Sequence, residues 1–185
     1  MTNVSLFGDS IRQIGYGLKV PQLLGSSFRV FQPDDNCRFT YYMLRMIHDC
    51  RREIEASEVV HYNCGSWDAC DLFGDGAFTP LDEYVRSMLR ITDLLHGMCK
   101  KLVFATTTPV LEGGTDQVNA LIVRENEAIV PLLSARGVVI NDLYTTVEQN
   151  KTRFIKAEDR VHLTEEGIDA CARQTADIIR ELAGK

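Results

Sequence analysis

Val4-Ser5-Leu6-Phe7-Gly8-Asp9-Ser10 is a short apolar run that ends on a glycine and delivers an acid and a hydroxyl directly behind it. The run is too short for a stable helix and reads as a buried strand, and Gly8 permits a tight turn at its end. Comparable runs, rich in Val, Ile, Leu or Phe, stand at 28–31, 58–62, 101–105 and 138–141. Helical periodicity fills the intervals and predicts helices over 17–24, 40–55, 81–98, 116–135 and 165–182. Strands alternating with helices predict an α/β fold, a three-layer α/β/α sandwich around a five-stranded parallel sheet of flavodoxin-like kind.

Some boundaries carry their own signals. In 116–135, Val118, Leu121, Ile122, Glu125, Ala128, Ile129, Leu132 and Leu133 form a mostly apolar stripe, which Pro131 is expected to kink or divide before Gly137 closes it. The final helix is introduced by Thr164 as N-cap, with Glu165 and Glu166 where the helix dipole favours acids. Met43, Met46, Met88 and Met98 fall on helical stripes and read as core filler.

Length and composition set bounds on function. The 185 residues, 45% hydrophobic and 25% charged, are expected to form one domain over residues 1–185. Twenty Lys plus Arg against 26 Asp plus Glu give a net charge of -6, which argues against nucleic acid as a partner. No apolar run approaches the roughly 18 residues of a membrane span, and the first residues lack the features of a secretion signal, so a cytoplasmic protein without a membrane partner is expected. The six cysteines are then expected as reduced thiols. His61, Cys64 and Cys70 lack a second ligand cluster at zinc spacing, and neither GxGxxG nor a P-loop occurs, so no metal and no nucleotide is expected.

In a doubly wound sheet, ligands sit beyond the carboxyl ends of the strands, which selects segments 8–17, 33–40, 63–79 and 106–114. Ser10 lies in the first of these, placed to attack a substrate, although Gly-Asp-Ser alone also suits a turn or a helix cap. Near the C-terminus, Asp159-Arg160-Val161-His162 sets a carboxylate three residues ahead of a histidine. A serine nucleophile needs a base and the base needs an orienting group, roles that fit His162 and Asp159; a surface histidine is the plainer alternative. After the third strand, His61-Tyr62-Asn63-Cys64-Gly65-Ser66-Trp67-Asp68 offers the Asn63 amide as a donor to an oxyanion, or as an Asx turn.

These elements together resemble the SGNH hydrolase superfamily, also called GDSL esterases, and the forms NxGxWD and DxVHLT look like its bacterial carbohydrate acetyl esterase branch. The resemblance spans nearly the whole chain. It implies a serine esterase with Ser10, Asp159 and His162 as catalytic triad, and Asn63 with the backbone N–H groups of Ser10 and Cys37 as oxyanion hole. Cys37 stands where the family usually has glycine, His61 replaces a further glycine, and Cys64 replaces an aspartate. The resemblance further implies a small-molecule ester as substrate, acetyl esters of carbohydrates first among them, turned over through an acyl-enzyme without metal or organic cofactor. Lysophospholipids and thioesters are competing substrates, and a non-enzymatic flavodoxin-like binding domain is the rival from another class. Arg38 and Trp67 lie on loops at the same edge, suited either to substrate contact or to ordinary packing.

Overall fold

A computed structural model describes residues 1–184. Five strands, β1 (Thr2–Phe7), β2 (Phe28–Phe31), β3 (Val59–Tyr62), β4 (Lys101–Ala105) and β5 (Val139–Asn141), form one parallel sheet in the order β2-β1-β3-β4-β5. The expected α/β/α architecture is therefore present, with each predicted strand found to within two residues at either end.

Side-chain alternation along the strands explains why helices cover both faces. Val4, Leu6, Val59, Val103 and Ala105 join one core, completed by Val20 and Leu24 of α2 (Val20–Leu24), Leu143 and Val147 of α7 (Leu143–Glu148), and Ile168, Cys171, Ala172, Ala176 and Ile179 of the closing helix α9 (Glu165–Ala183). Phe7, Val60, Tyr62, Leu102 and Phe104 point the other way. They meet Met43 and Met46 of α3 (Thr40–Asp49), Met88, Ile91 and Leu95 of α5 (Leu81–His96), and Ile129 and Leu133 of α6 (Asn119–Ser134).

Three helical expectations are corrected. The segment 40–55 is two helices, because Cys50 leaves helical geometry at φ -102°, ψ 22° and separates α3 from α4 (Arg51–Glu55). Helix α6 starts at Asn119 and passes through Pro131 undivided. Pro131 is exposed and near the last turn, so the carbonyl it leaves unpaired lies on the solvent side. The segment 17–24 is a single 3₁₀ turn, Tyr16–Leu18, followed by α2. The short helices α1 (Ser10–Gln13), α7 and α8 (Lys151–Phe154) were not anticipated.

The chain leaves β1 and β3 toward opposite faces of the sheet, and these two strands are neighbours. A crevice at such a switch point is where doubly wound sheets bind ligands, and it lies between Ser10 and Asn63. At the far end of the chain, Thr164 caps α9 by accepting the Gly167 N–H, and Ile155 bridges to Leu163. These contacts fix the loop that carries Asp159 and His162.

Candidate active site

Ser10 begins α1, with Asp9 as the N-cap whose Oδ1 accepts the Ile11 N–H at 2.9 Å. The Ser10 hydroxyl therefore stands at the carboxyl edge of β1, and the Ser10 N–H, in the first turn, has no acceptor within its own helix. His162 reaches this hydroxyl from the far end of the chain, with Nε2 at 2.8 Å from Ser10 Oγ. Its other ring nitrogen, Nδ1, lies 3.1 Å from Asp159 Oδ2. A carboxylate only accepts, so Nδ1 carries a proton, and in the neutral imidazole Nε2 is then the lone-pair nitrogen facing the serine. Asp159 Oδ1 accepts the backbone N–H groups of Val161 at 2.9 Å and His162 at 2.8 Å. Partial burial pushes the Asp159 carboxyl upward, but these two N–H groups and the imidazole outweigh it, and its pKa ends below the ordinary 3.8.

The Asn63 amide belongs to the same network. Its backbone N–H donates to Phe7 O at 3.2 Å, and its Nδ2 donates to Asp9 Oδ2 at 2.9 Å. One amide proton is thus committed and the other remains. Asn63 Oδ1 is buried against Gly8, where an added Cβ would come within 1.9 Å of it. Asp9 is 1% exposed, and burial raises its pKa despite the bonds from Ile11 and Asn63 and the charge of Arg12.

The Cys37 N–H is not free for an oxyanion, which departs from the expectation. It donates to Gly8 O at 2.8 Å, while the Gly8 N–H points to Cys37 Sγ at 3.3 Å. The left-handed backbone that glycine would favour occurs one residue later, at Arg38 with φ 48°, and the Arg38 N–H is held by Asn36 Oδ1 at 2.8 Å. Arg38 pairs with Asp35 at 3.2 Å and lies over the Tyr42 ring at 4.4 Å, which accounts for its placement without a ligand. Trp67 is 39% exposed and, with Phe39, Cys70, Leu72 and Phe78, lines a pocket of about 240 Å³ beside the loop that follows β3.

His61, Cys64 and Cys70 do not group: among the described residues, no three His, Cys, Asp or Glu side chains come together as a metal site. His61 instead packs edge-on to Tyr16 and lies 3.2 Å from Asn141 Nδ2. Burial, reinforced by the charge of Arg12, lowers its pKa to about 3 and keeps it neutral.

Asp9 and Arg12 are the positioning groups that the motif reading passed over. Arg12, 1% exposed, donates to the carbonyls of Pro33 at 3.1 Å, Gly8 at 3.2 Å and Asp35 at 3.0 Å, tying the 33–38 loop to the serine turn. Asp68, fully buried, accepts the Thr40 N–H and hydroxyl and so anchors the start of α3 to the loop after β3.

No family model matches the sequence, and neither does any curated protein. Solved structures do. A lipase/acylhydrolase from Enterococcus faecalis superposes with a TM-score of 0.82 at 17% identity, covering 98% of this chain and 96% of that one. A catalytic mutant of an acetylxylan esterase from Geobacillus stearothermophilus gives 0.79 at 17% identity, covering 98% and 94%. A GDSL-like lipase from Bacteroides thetaiotaomicron gives 0.76 at 19% identity, covering 97% and 88%. The chain shares the fold of these proteins over almost its full length.

Proposed function

We propose that the chain is an SGNH-type serine esterase that hydrolyses small carboxylic esters, and that Ser10, His162 and Asp159 are its catalytic triad. The carrying observation is the unbroken chain of contacts from Asp159 through both nitrogens of His162 to Ser10 Oγ. Three side chains from residues 10, 159 and 162 meet in the order and polarity that nucleophilic catalysis requires. The shared fold with acylhydrolases and an acetylxylan esterase supports the same reading.

On this reading, Ser10 Oγ forms a bond to the ester carbonyl carbon as its proton passes to His162 Nε2. The carbonyl π electrons move onto oxygen, and the oxyanion is met by the Ser10 N–H and the uncommitted Asn63 amide proton. Collapse of this tetrahedral species breaks the bond to the leaving alkoxide, which takes the proton back from His162. Water then repeats the sequence on the acyl-enzyme, with His162 again as base and then acid. Asp159 holds the imidazole tautomer and balances the imidazolium charge. The residues present supply every proton transfer in this sequence.

Acetyl esters of carbohydrates are the proposed substrate class. The small pocket walled by Trp67, Phe39 and Phe78 offers apolar rings beside the loop after β3, the type of surface on which a sugar face rests. Hydrolysis of p-nitrophenyl esters of increasing acyl length tests the proposal. Turnover should be highest for acetate and absent in Ser10→Ala. Equal turnover in Ser10→Ala would overturn the mechanism, and a preference for long acyl chains would overturn the substrate class.

A further inference from the structure

Asn63 is held from one side by β1 and the nucleophile turn, since its N–H donates to Phe7 O and its Nδ2 to Asp9 Oδ2. Different residues hold the loop behind it. Tyr84 of α5 is fully buried, and its hydroxyl donates to the carbonyl of Cys64, the residue after Asn63, at 2.9 Å. Thr107, 1% exposed in the segment that follows β4, brings its hydroxyl to 3.5 Å from the same carbonyl oxygen. A carbonyl has two lone pairs and can accept from both. Thr107 is itself tied to α6: its N–H donates to Asn126 Oδ1 at 3.0 Å, and its carbonyl accepts Asn126 Nδ2 at 2.9 Å.

Gly65 shows how closely this cluster approaches the chain. Its φ of 149° lies where side chains are rarely tolerated. A Cβ on it would stand 2.3 Å from Thr107 Oγ1, 3.2 Å from Glu125 Oε2 and 3.3 Å from the Tyr84 hydroxyl oxygen. Polar side chains from α5, α6 and the loop after β4 therefore converge on the backbone just behind Asn63, with no room for a side chain between. Glu125 is 2% exposed, and burial together with the charge of Asp68 pushes its pKa up to about 10. The neutral carboxyl is a weaker acceptor than a carboxylate, and neither of its oxygens draws a hydroxyl proton away from Cys64 O.

We propose that Tyr84, assisted by Thr107, is a positioning residue that acts through the Cys64 carbonyl to aim the Asn63 amide at the oxyanion. A side chain is aimed from its Cα, and the Asn63 Cα is fixed when the chain on both sides of it is fixed. Phe7 O secures the near side, and the two hydroxyls secure the far side. Both hydroxyl-bearing residues are buried and act on turnover only through Asn63. Their effect on kcat rests on the proposed esterase mechanism, whereas their effect on the placement of the amide does not.

Tyr84→Phe removes one oxygen and keeps the ring, and it tests the proposal on the full chain. It should lower kcat on an acetyl ester about three- to tenfold with KM nearly unchanged. In an Asn63→Ala background the same change should cost no further kcat, because the group that Tyr84 aims is gone. Thr107→Val should show a smaller loss of kcat than Tyr84→Phe, and Thr107→Ser, which keeps the hydroxyl, should stay within about twofold of wild type. The Asn63 side-chain amide resonances, assigned by their absence in Asn63→Ala, read the placement without turnover. They should move in Tyr84→Phe and Thr107→Val and stay in Thr107→Ser; if Tyr84→Phe does not fold, the Thr107 pair decides. Amide resonances unmoved by loss of either hydroxyl, an undiminished loss of kcat in the Asn63→Ala background, or a rise in KM with kcat unchanged would each overturn the proposal. A wild type without Ser10-dependent turnover would overturn the esterase reading, and the amide resonances would still decide this one.

Discussion

The Asp9 carboxylate accepts the side-chain amide of Asn63 at 2.9 Å while capping the helix that begins at Ser10, so one buried acid fixes both the nucleophile turn and the amide beside it. Asp9→Asn keeps the shape but sets two amides against each other, so that one of them must turn. On the proposed mechanism this misaims the Asn63 proton, and kcat should fall about tenfold or more with KM nearly unchanged. Steady-state kinetics on an acetyl ester check this; a rise in KM alone would assign Asn63 to substrate binding instead.

Gly8→Ala addresses the same amide by steric means. The new Cβ would lie 1.9 Å from Asn63 Oδ1 and 2.9 Å from Arg12 Cβ, too close for either to stay in place. The expected result is a loss of about 1–3 kcal/mol in stability, as for other overpacked interiors, together with a drop in kcat. Urea unfolding and ester turnover measured on the same preparation check both. An active, fully stable Gly8→Ala would mean that Asn63 is not held where the account requires it.

Glu125 gives a pH-dependent prediction. Its pKa is raised from 4.5 to about 10 in the folded state, so the folded protein holds a proton that the unfolded chain releases. Stability from the protonated form is complete below pH 4.5 and is lost progressively as pH rises toward 10. Glu125→Gln has no such proton. Its stability relative to wild type should therefore grow between these limits, by on the order of 1 kcal/mol per pH unit at most. Denaturant unfolding at pH 5, 7 and 9 reads the difference (roughly spanning the interval between the two pKa values). A gap that is constant with pH would place the Glu125 carboxyl in water.

The fold was legible because buried parallel strands are short apolar runs set between turn residues, and all five announce themselves in that way. Helices α1, α7 and α8 were not legible, since pieces of four to six residues make too few turns to show a period. The break at Cys50 was hidden for a related reason: apolar residues continue at helical spacing on both sides of it. At the candidate site, Ser10, Asn63, Asp159 and His162 could be quoted from local motifs, and the fold brings them into one network. The partner of the Cys37 N–H could not be read, because Gly8 O is brought beside it only by the pairing of loops 29 residues apart in sequence. Asp9 and Arg12 were obscure for the same reason, since each bonds a group distant in the chain.

Asp159→Asn distinguishes a triad from a Ser-His dyad. The carboxyl lies below its ordinary pKa, so it is ionised throughout the neutral range and accepts the Nδ1 proton there. An amide in its place can favour the wrong tautomer, a change that costs about 10⁴ in kcat in the serine-protease template. A loss of at least about tenfold is expected, smaller than in His162→Ala. Full kcat in Asp159→Asn, with His162→Ala inactive, would reduce the site to a dyad.

The central claim is that His162 activates Ser10 across the 2.8 Å contact. Labelling by a fluorophosphonate, followed by peptide mapping and by the labelling rate, reads this directly. The account predicts one adduct, on Ser10, with the rate reduced about 10²-fold or more in His162→Ala, as expected when a positioned base is removed. An adduct on another residue, or an unchanged rate in His162→Ala, would contradict it.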